Sequence, residues 1–207
     1  VEKWRESLRP KIEKTRLMLQ GCDPSELALH SGARHHDGQL VVSFLEKDFQ
    51  IEFPSVVTMK KGSNQPVPEE IEALLLDYLA MARTALPKGG EWVAFRELPG
   101  GQFYASAFQG YAADTLVRAF GNDIEGFKDA AQKCHGTPLE MGDASFNFQV
   151  LPRLEIAVVY WGGDDEFPPH ASVLFDTAAS SRLPLDGLAN VGRILCAQLV
   201  KFGSSKD

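Results

Sequence analysis

The sequence predicts an α+β fold, mainly antiparallel sheet packed with helices, with a helical appendage at the N-terminus. Three observations predict it. Phe49, Ile51 and Phe53 alternate with Gln50 and Glu52, and Phe146 and Phe148 alternate with Ser145, Asn147 and Gln149, the two-residue period of half-buried strands. Ile71, Leu74, Leu75, Tyr78, Leu79 and Ala82 recur instead at helical spacing and form one apolar stripe. The order of elements is helices, two strands, a helix, a short strand, two helices, three strands and a helix, which reads as one α+β domain over residues 23–207 behind an N-terminal helix over 1–22.

Each element has a local reason. Trp4, Leu8, Ile12, Thr15 and Leu19 lie near helical spacing, and Pro10 suits a first turn, so the main N-terminal helix is expected from Pro10 to Gln20, stopped by Gly21. Asp23-Pro24-Ser25-Glu26 combines a capping acid, a first-turn Pro and a following Glu, and opens a short helix to about His30. Residues 39–45 and 49–53 read as strands joined at Glu46-Lys47-Asp48. The 60–66 stretch KKGSNQP reads as an exposed loop, and Pro68-Glu69-Glu70 opens the next helix, ended by Pro87-Lys88-Gly89-Gly90. Trp92 begins a short strand that runs into a tight Pro99-Gly100-Gly101 turn. Helices follow over 111–120 and 123–135, the second opened by Asn122 with Glu125 and closed at Gly136. Strands at 144–150, 154–161 and 172–175 form an antiparallel meander, and Asp186 caps a last helix carrying Leu188, Val191, Leu195, Leu199 and Phe202 inward.

Composition bounds the function. A hydrophobic fraction of 44% and a charged fraction of 24% over 207 residues are ordinary for a globular chain, and 13 Phe indicate a well-filled core. The net charge of −7, without a basic stripe, argues against general nucleic-acid binding. The local exception is Lys3, Arg5, Arg9, Lys11, Lys14 and Arg16 against Glu2, Glu6 and Glu13, read first as a solvated helix face and second as a docking surface. Cys22, Cys134 and Cys196 are widely spaced, so no iron–sulfur or zinc ligand run is encoded. Cys134 and Cys196 fall on expected helices and read as buried apolar groups. No apolar run reaches membrane-spanning length and no signal peptide is present, so a reducing cytoplasm is the expected location. The start at Val1, without Met, points to a trimmed or processed end. Phosphate-loop, dinucleotide-loop, nucleophile-elbow and zincin motifs are absent.

Two stretches carry chemistry. The 29–38 segment LHSGARHHDG gathers His30, His35, His36 and Asp37, but adjacent histidines diverge on a regular element, and a polar turn with Asp37-Gly38 at its tip is the simpler reading. The richer stretch is WGGDDEFPPHASVLFD, Trp161 to Asp176. Its Gly pair allows a turn and Pro168-Pro169 stiffen it. The mutual repulsion of Asp164, Asp165 and Glu166 requires water, a basic side chain, backbone N–H groups or a hard cation. Arg96, which interrupts apolar neighbours beside Glu97, is the expected neutralising partner. The candidate ligand-binding set is therefore Arg96, Glu97, Tyr104, Trp161, Asp164, Asp165, Glu166, His170 and Asp176, with Asp164, Asp165 and Glu166 as candidate metal ligands. The bland alternative is a solvated acidic hairpin packed down by Trp161 and Phe167.

WVAFRELPGG at 92–101, FGND at 120–123, GD at 142–143 and the 161–176 segment together resemble an uncharacterised domain-of-unknown-function family, family 3786, of anaerobic bacteria and archaea. The resemblance covers roughly residues 20 to 200. It implies no known activity and no catalytic residue, and it points toward an accessory role in metal- or corrinoid-linked anaerobic metabolism. Some members of that family add a Cys-rich, iron–sulfur-like segment, whose cysteines are not in this chain. Two function classes stay open. One is a non-catalytic protein that binds a small ligand or a redox or metalloprotein partner. The other is an enzyme using the acidic loop as a divalent-metal or general acid–base site. Assembly through the basic N-terminal helix is a third possibility.

Overall fold

The computed structural model describes residues 2–63, 65–84 and 89–204, with side chains from Leu8 onward. Its contacts divide the chain into two compact units. One comprises Val1–Lys88, Leu151–Arg153 and Ser181–Pro184; the other comprises Gly89–Val150, Leu154–Ser180 and Leu185–Asp207. The α+β class and the antiparallel pairing hold in both.

In the first unit, α1 (Glu2–Gln20) and α2 (Pro24–Ser31) precede β1 (Arg34–His36), β2 (Gln39–Phe44), β3 (Lys47–Glu52), β4 (Val57–Lys60) and α3 (Glu69–Met81). The strands form an antiparallel sheet in the order β1-β2-β3-β4. α1 runs through Pro10 as one helix rather than starting there. Trp4 and the other side chains of residues 2–7 lie outside the described residues. Three cations of α1 pair with α3: Arg9 with Glu69 at 2.6 Å, Lys11 with Asp77 at 2.8 Å and Arg16 with Glu72 at 2.7 Å. Lys11 and Arg16 are half-buried against that helix, while Arg9 pairs at its exposed edge.

α2 starts as its sequence dictates, with the Asp23 carboxylate accepting from the Ser25 N–H at 2.8 Å and Gly32 ending it in the left-handed region. The histidine stretch is a hairpin rather than a bare turn, since Asp37 and Gly38 at positive φ join β1 to β2. Its ring nitrogens diverge as adjacent strand residues must: His35 meets Ser25 Oγ and His36 meets its neighbour Asp37. Leu45 and Glu46, both at positive φ, make the β2–β3 turn one residue earlier than expected. β4 was not expected from the sequence. Thr58 faces in, Val57 faces out, and four residues are too few for a visible period. Tyr78, fully buried on α3, donates its hydroxyl to the Ser31 carbonyl at 2.5 Å and accepts from the Arg153 N–H at 3.0 Å. Burial pushes the Tyr78 phenol up to about 12. α3 itself stops at Met81; the Pro87-Lys88 part of its expected end lies outside the described residues.

The second unit contains β5 (Trp92–Ala94), α4 (Ala105–Tyr111), α5 (Ala113–Phe120), α6 (Ile124–Lys133), β6 (Thr137–Pro138), β7 (Ala144–Leu151), β8 (Leu154–Trp161), β9 (His170–Asp176) and α7 (Leu185–Ser204). The sheet order β5-β9-β8-β7-β6 contains the expected meander. Two 3-10 turns, Phe95–Glu97 and Gly101–Phe103, follow β5. Gly100 is left-handed between them, and a Cβ on Gly101 would lie 1.9 Å from the Phe95 carbonyl oxygen, so only glycine allows that approach. α4 went unread in the sequence because Gly110 and a break at Ala112 interrupt its period. Two boundaries differ for stereochemical reasons. Asp123, not Asn122, caps α6, accepting from the Gly126 N–H at 2.9 Å. His135, not Gly136, takes the left-handed position after α6, while Gly136 is packed against Phe148. Leu188, Val191, Leu195 and Leu199 of α7 are buried as expected, while Phe202 is only half-buried. Cys134 and Cys196 are buried free thiols, pushed up by burial to about 11 and about 12.

Candidate functional site

The acidic stretch is the connection from β8 to β9, and its rigidity has named causes. The last register pair of the two strands is Trp161 opposite His170, whose rings stack with centroids 5.5 Å apart. Beyond it, the Asp164 carboxylate accepts from the Phe167 N–H at 2.7 Å and the Glu166 N–H at 2.9 Å. The Asp164 N–H donates to the Phe167 carbonyl at 2.8 Å and closes the turn. These backbone donors, that of Phe167 foremost, hold the Asp164 carboxyl below its usual range. Gly163 is wedged against Pro169, where a Cβ would lie 2.7 Å from the Pro169 nitrogen.

Two side chains from other elements clamp the entrance to the loop. Asn122, between α5 and α6, accepts from the Gly163 N–H through Oδ1 at 2.8 Å. Asp143, just before β7, accepts from the Gly162 N–H through Oδ2 at 2.8 Å, while its own N–H donates to the Tyr160 carbonyl at 3.0 Å. The Tyr160 hydroxyl donates to the Gly121 carbonyl at 2.7 Å, and its ring stacks on Phe127. The FGND, GD and WGGDD segments thus meet in space. Sequence reasoning missed Asn122 and Asp143 as positioning residues. The available signal was their type: short side chains with an acceptor oxygen, set beside glycine turns.

The remaining expected residues are dispersed. Asp165 and Glu166 are exposed, and Arg96 is exposed without a hydrogen bond or ion pair among the described residues. Arg96 therefore does not neutralise the acids; backbone amides do so for Asp164. Glu97 turns back to accept from the Ala94 N–H at 2.7 Å and closes its own 3-10 turn. Tyr104 is exposed at the start of α4. His170 meets Ser172 at 3.3 Å. Asp176 sits at the opposite end of β9, opposite Trp92, about 20 Å along the strand from His170 at roughly 3.3 Å per residue. There its carboxylate accepts from the Ala178 N–H at 2.7 Å and leaves room only for a glycine at position 89. Among the described residues, no three His, Cys, Asp or Glu side chains converge as metal ligands. No described helix is long and apolar enough to cross a membrane.

Residues 23–198 match the profile of a domain of unknown function, DUF3786. The chain belongs to this family. The DUF3786 match begins directly after α1 and spans the β8–β9 loop with both of its clamps. Neither a curated protein nor a solved structure matches the chain. What the DUF3786 loop offers chemically is an ordered tip. A general acid needs a carboxyl kept protonated by burial or by a like charge, and Asp164 is displaced in the other direction.

Proposed function

We propose that this DUF3786 chain is a non-catalytic accessory protein that recognises a partner through the β8–β9 loop, within cytoplasmic, metal- or corrinoid-linked anaerobic metabolism. One observation carries this reading: the loop is held by its own Asp164 turn and by Asn122 and Asp143, yet it presents Phe167 with 67% of its surface exposed. An exposed aromatic on a pre-ordered turn loses little conformational entropy on contact, the economy that recognition surfaces use. The metabolic setting comes from the family resemblance.

The test is a photo-crosslinking residue at Asp165, exposed to extract of the source organism. A discrete crosslinked partner should appear and should be lost in Phe167→Ala. Equal labelling with and without Phe167, or no discrete product, would refute the reading. A parallel titration with Mg²⁺, Ca²⁺ or Mn²⁺ addresses metal-dependent catalysis. A cation bound only by the folded state at 100 times its Kd would stabilise the protein by about 2.7 kcal/mol. A rise in Tm abolished by Asp165→Asn would replace the accessory reading with a metal site.

A further inference from the structure

Met18 is the exposed one of the four methionines, at 40%, while Met59, Met81 and Met141 are half-buried. It lies in the last turn of α1 beside Leu17, and a Cβ on Gly21, just after the helix, would meet nothing within 4 Å. Small solutes therefore reach this side chain from open water. Its sulfur has a definite neighbour in the same unit. Arg83, two residues beyond the end of α3, donates through Nη1 to Met18 Sδ at 3.1 Å. Arg83 makes no other hydrogen bond or ion pair among the described residues.

The backbones on both sides of this contact are held. Leu19 is fully buried, and Arg16 is tied to Glu72 at 2.7 Å and to the Val56 carbonyl at 3.2 Å, which fixes the last turn of α1. Ala82 is fully buried; its N–H donates to the Tyr78 carbonyl at 3.2 Å and its carbonyl bonds the His30 ring at 3.1 Å. Only the two long side chains have room to adjust. A thioether is a weak acceptor, so the guanidinium gains little from it. An oxygen on that sulfur changes the balance, because a polar sulfoxide oxygen takes a charge-assisted hydrogen bond from the same donor. At the half-buried methionines an added oxygen disrupts apolar packing, the usual outcome of this chemistry. At Met18 it meets a cation already in place.

We propose that Met18 is a reversible sulfoxidation site, and that Arg83 receives the sulfoxide oxygen and so tightens α1 against the end of α3. The oxidant is hydrogen peroxide. A lone pair of the Met18 sulfur attacks one peroxide oxygen, the S–O bond forms and the O–O bond breaks. The sulfur gives up two electrons, and the proton on the transferred oxygen joins the departing hydroxide as water. A methionine sulfoxide reductase with a dithiol returns the thioether: the oxygen leaves as water and the dithiol becomes a disulfide. The site lies in the first unit and does not use the β8–β9 loop, so it stands or falls separately from the accessory reading.

The test is limiting hydrogen peroxide on the full chain, read by peptide mass spectrometry and by thermal melting. Met18 should gain one oxygen before Met59, Met81 and Met141 do. The singly oxidised protein should melt about 1–2 °C above the reduced protein, the shift that one modest added hydrogen bond gives at this chain length, and reductase treatment should reverse it. In Arg83→Ala the oxidised protein should melt no higher than its reduced form. Met18→Gln, which carries an amide oxygen in place of the sulfoxide, should repeat the gain without oxidant and lose it in Arg83→Ala. Both side chains are exposed, and should Arg83→Ala fail to fold by circular dichroism, Arg83→Met keeps the stem, removes every donor and takes its place. Oxidation of any half-buried methionine as fast as Met18, no rise in Tm on Met18 oxidation, or the same rise without the Arg83 guanidinium would overturn the proposal.

Discussion

Replacing Tyr78 by Phe removes one oxygen and leaves the ring of a fully buried residue in place. That oxygen gives its proton to the Ser31 carbonyl and receives the Arg153 N–H. Ser31 is fully buried, so its carbonyl loses a partner that water cannot replace, at a cost of about 1–3 kcal/mol. Arg153 is exposed, and its N–H can recover part of an ordinary hydrogen bond from solvent, leaving a loss of about 0.5–1 kcal/mol. The sum is about 1.5–4 kcal/mol, against total stabilities of about 5–15 kcal/mol. With a urea dependence of about 2 kcal/mol/M, the midpoint should fall by roughly 0.8–2 M at unchanged slope. Urea titration followed by circular dichroism on both proteins measures this directly. A Tyr78→Phe midpoint within about 0.3 M of the parent, the scatter of such measurements, would show that the hydroxyl bridge adds nothing and that the first unit rests on apolar packing alone.

Other outcomes follow from the same reasoning. Asn122→Ala removes the acceptor for the Gly163 N–H, so hydrogen exchange over residues 161–169 should accelerate while global stability drops by only about 0.5–1.5 kcal/mol; unchanged exchange would remove Asn122 as a clamp. Alkaline pH should destabilise the fold. Burial raises Cys134, Cys196 and Tyr78 to about 11, about 12 and about 12, above their ordinary values, so the unfolded chain releases these protons first and stability is lost as pH climbs from about 9 through 12. A urea midpoint at pH 10.5 equal to that at pH 8 would contradict this, and Cys196→Ala should flatten the decline. A thiol reagent at neutral pH should modify Cys22, which is half-buried at the end of α1, while Cys134 and Cys196 react only after unfolding; rapid modification of all three thiols would contradict their burial.

Much of the architecture was written locally. The alternation at 49–53 and 144–150 and the stripe of α3 each repeat over enough residues to be read without neighbours, and they became β3, β7 and α3. Asp23 with Pro24 fixed the start of α2 for the same reason, because a cap and its helix are adjacent in sequence. Two short elements without a clear period escaped. β4 shows too short a period, and α4 is broken by glycine and hidden behind two 3-10 turns. The choice of Asp123 over Asn122 as the cap of α6 was undecidable locally, since both side chains can accept an N–H.

Local chain chemistry set the class of fold, the Gly and Pro residues that shape the 161–170 turn and the presence of three acids there. The contacts of those acids came from folding. The partner of Asp164 is its own backbone, and the clamps on the turn come from 41 and 19 residues earlier in the chain. Hydrogen-bond partners that distant are chosen by how helices and strands stack, not by spacing along the chain. The same holds for Arg96. Its charge called for a carboxylate, but the 3-10 turn that carries it follows β5, which is paired at the Asp176 end of β9, and the chain leaves its side chain facing outward.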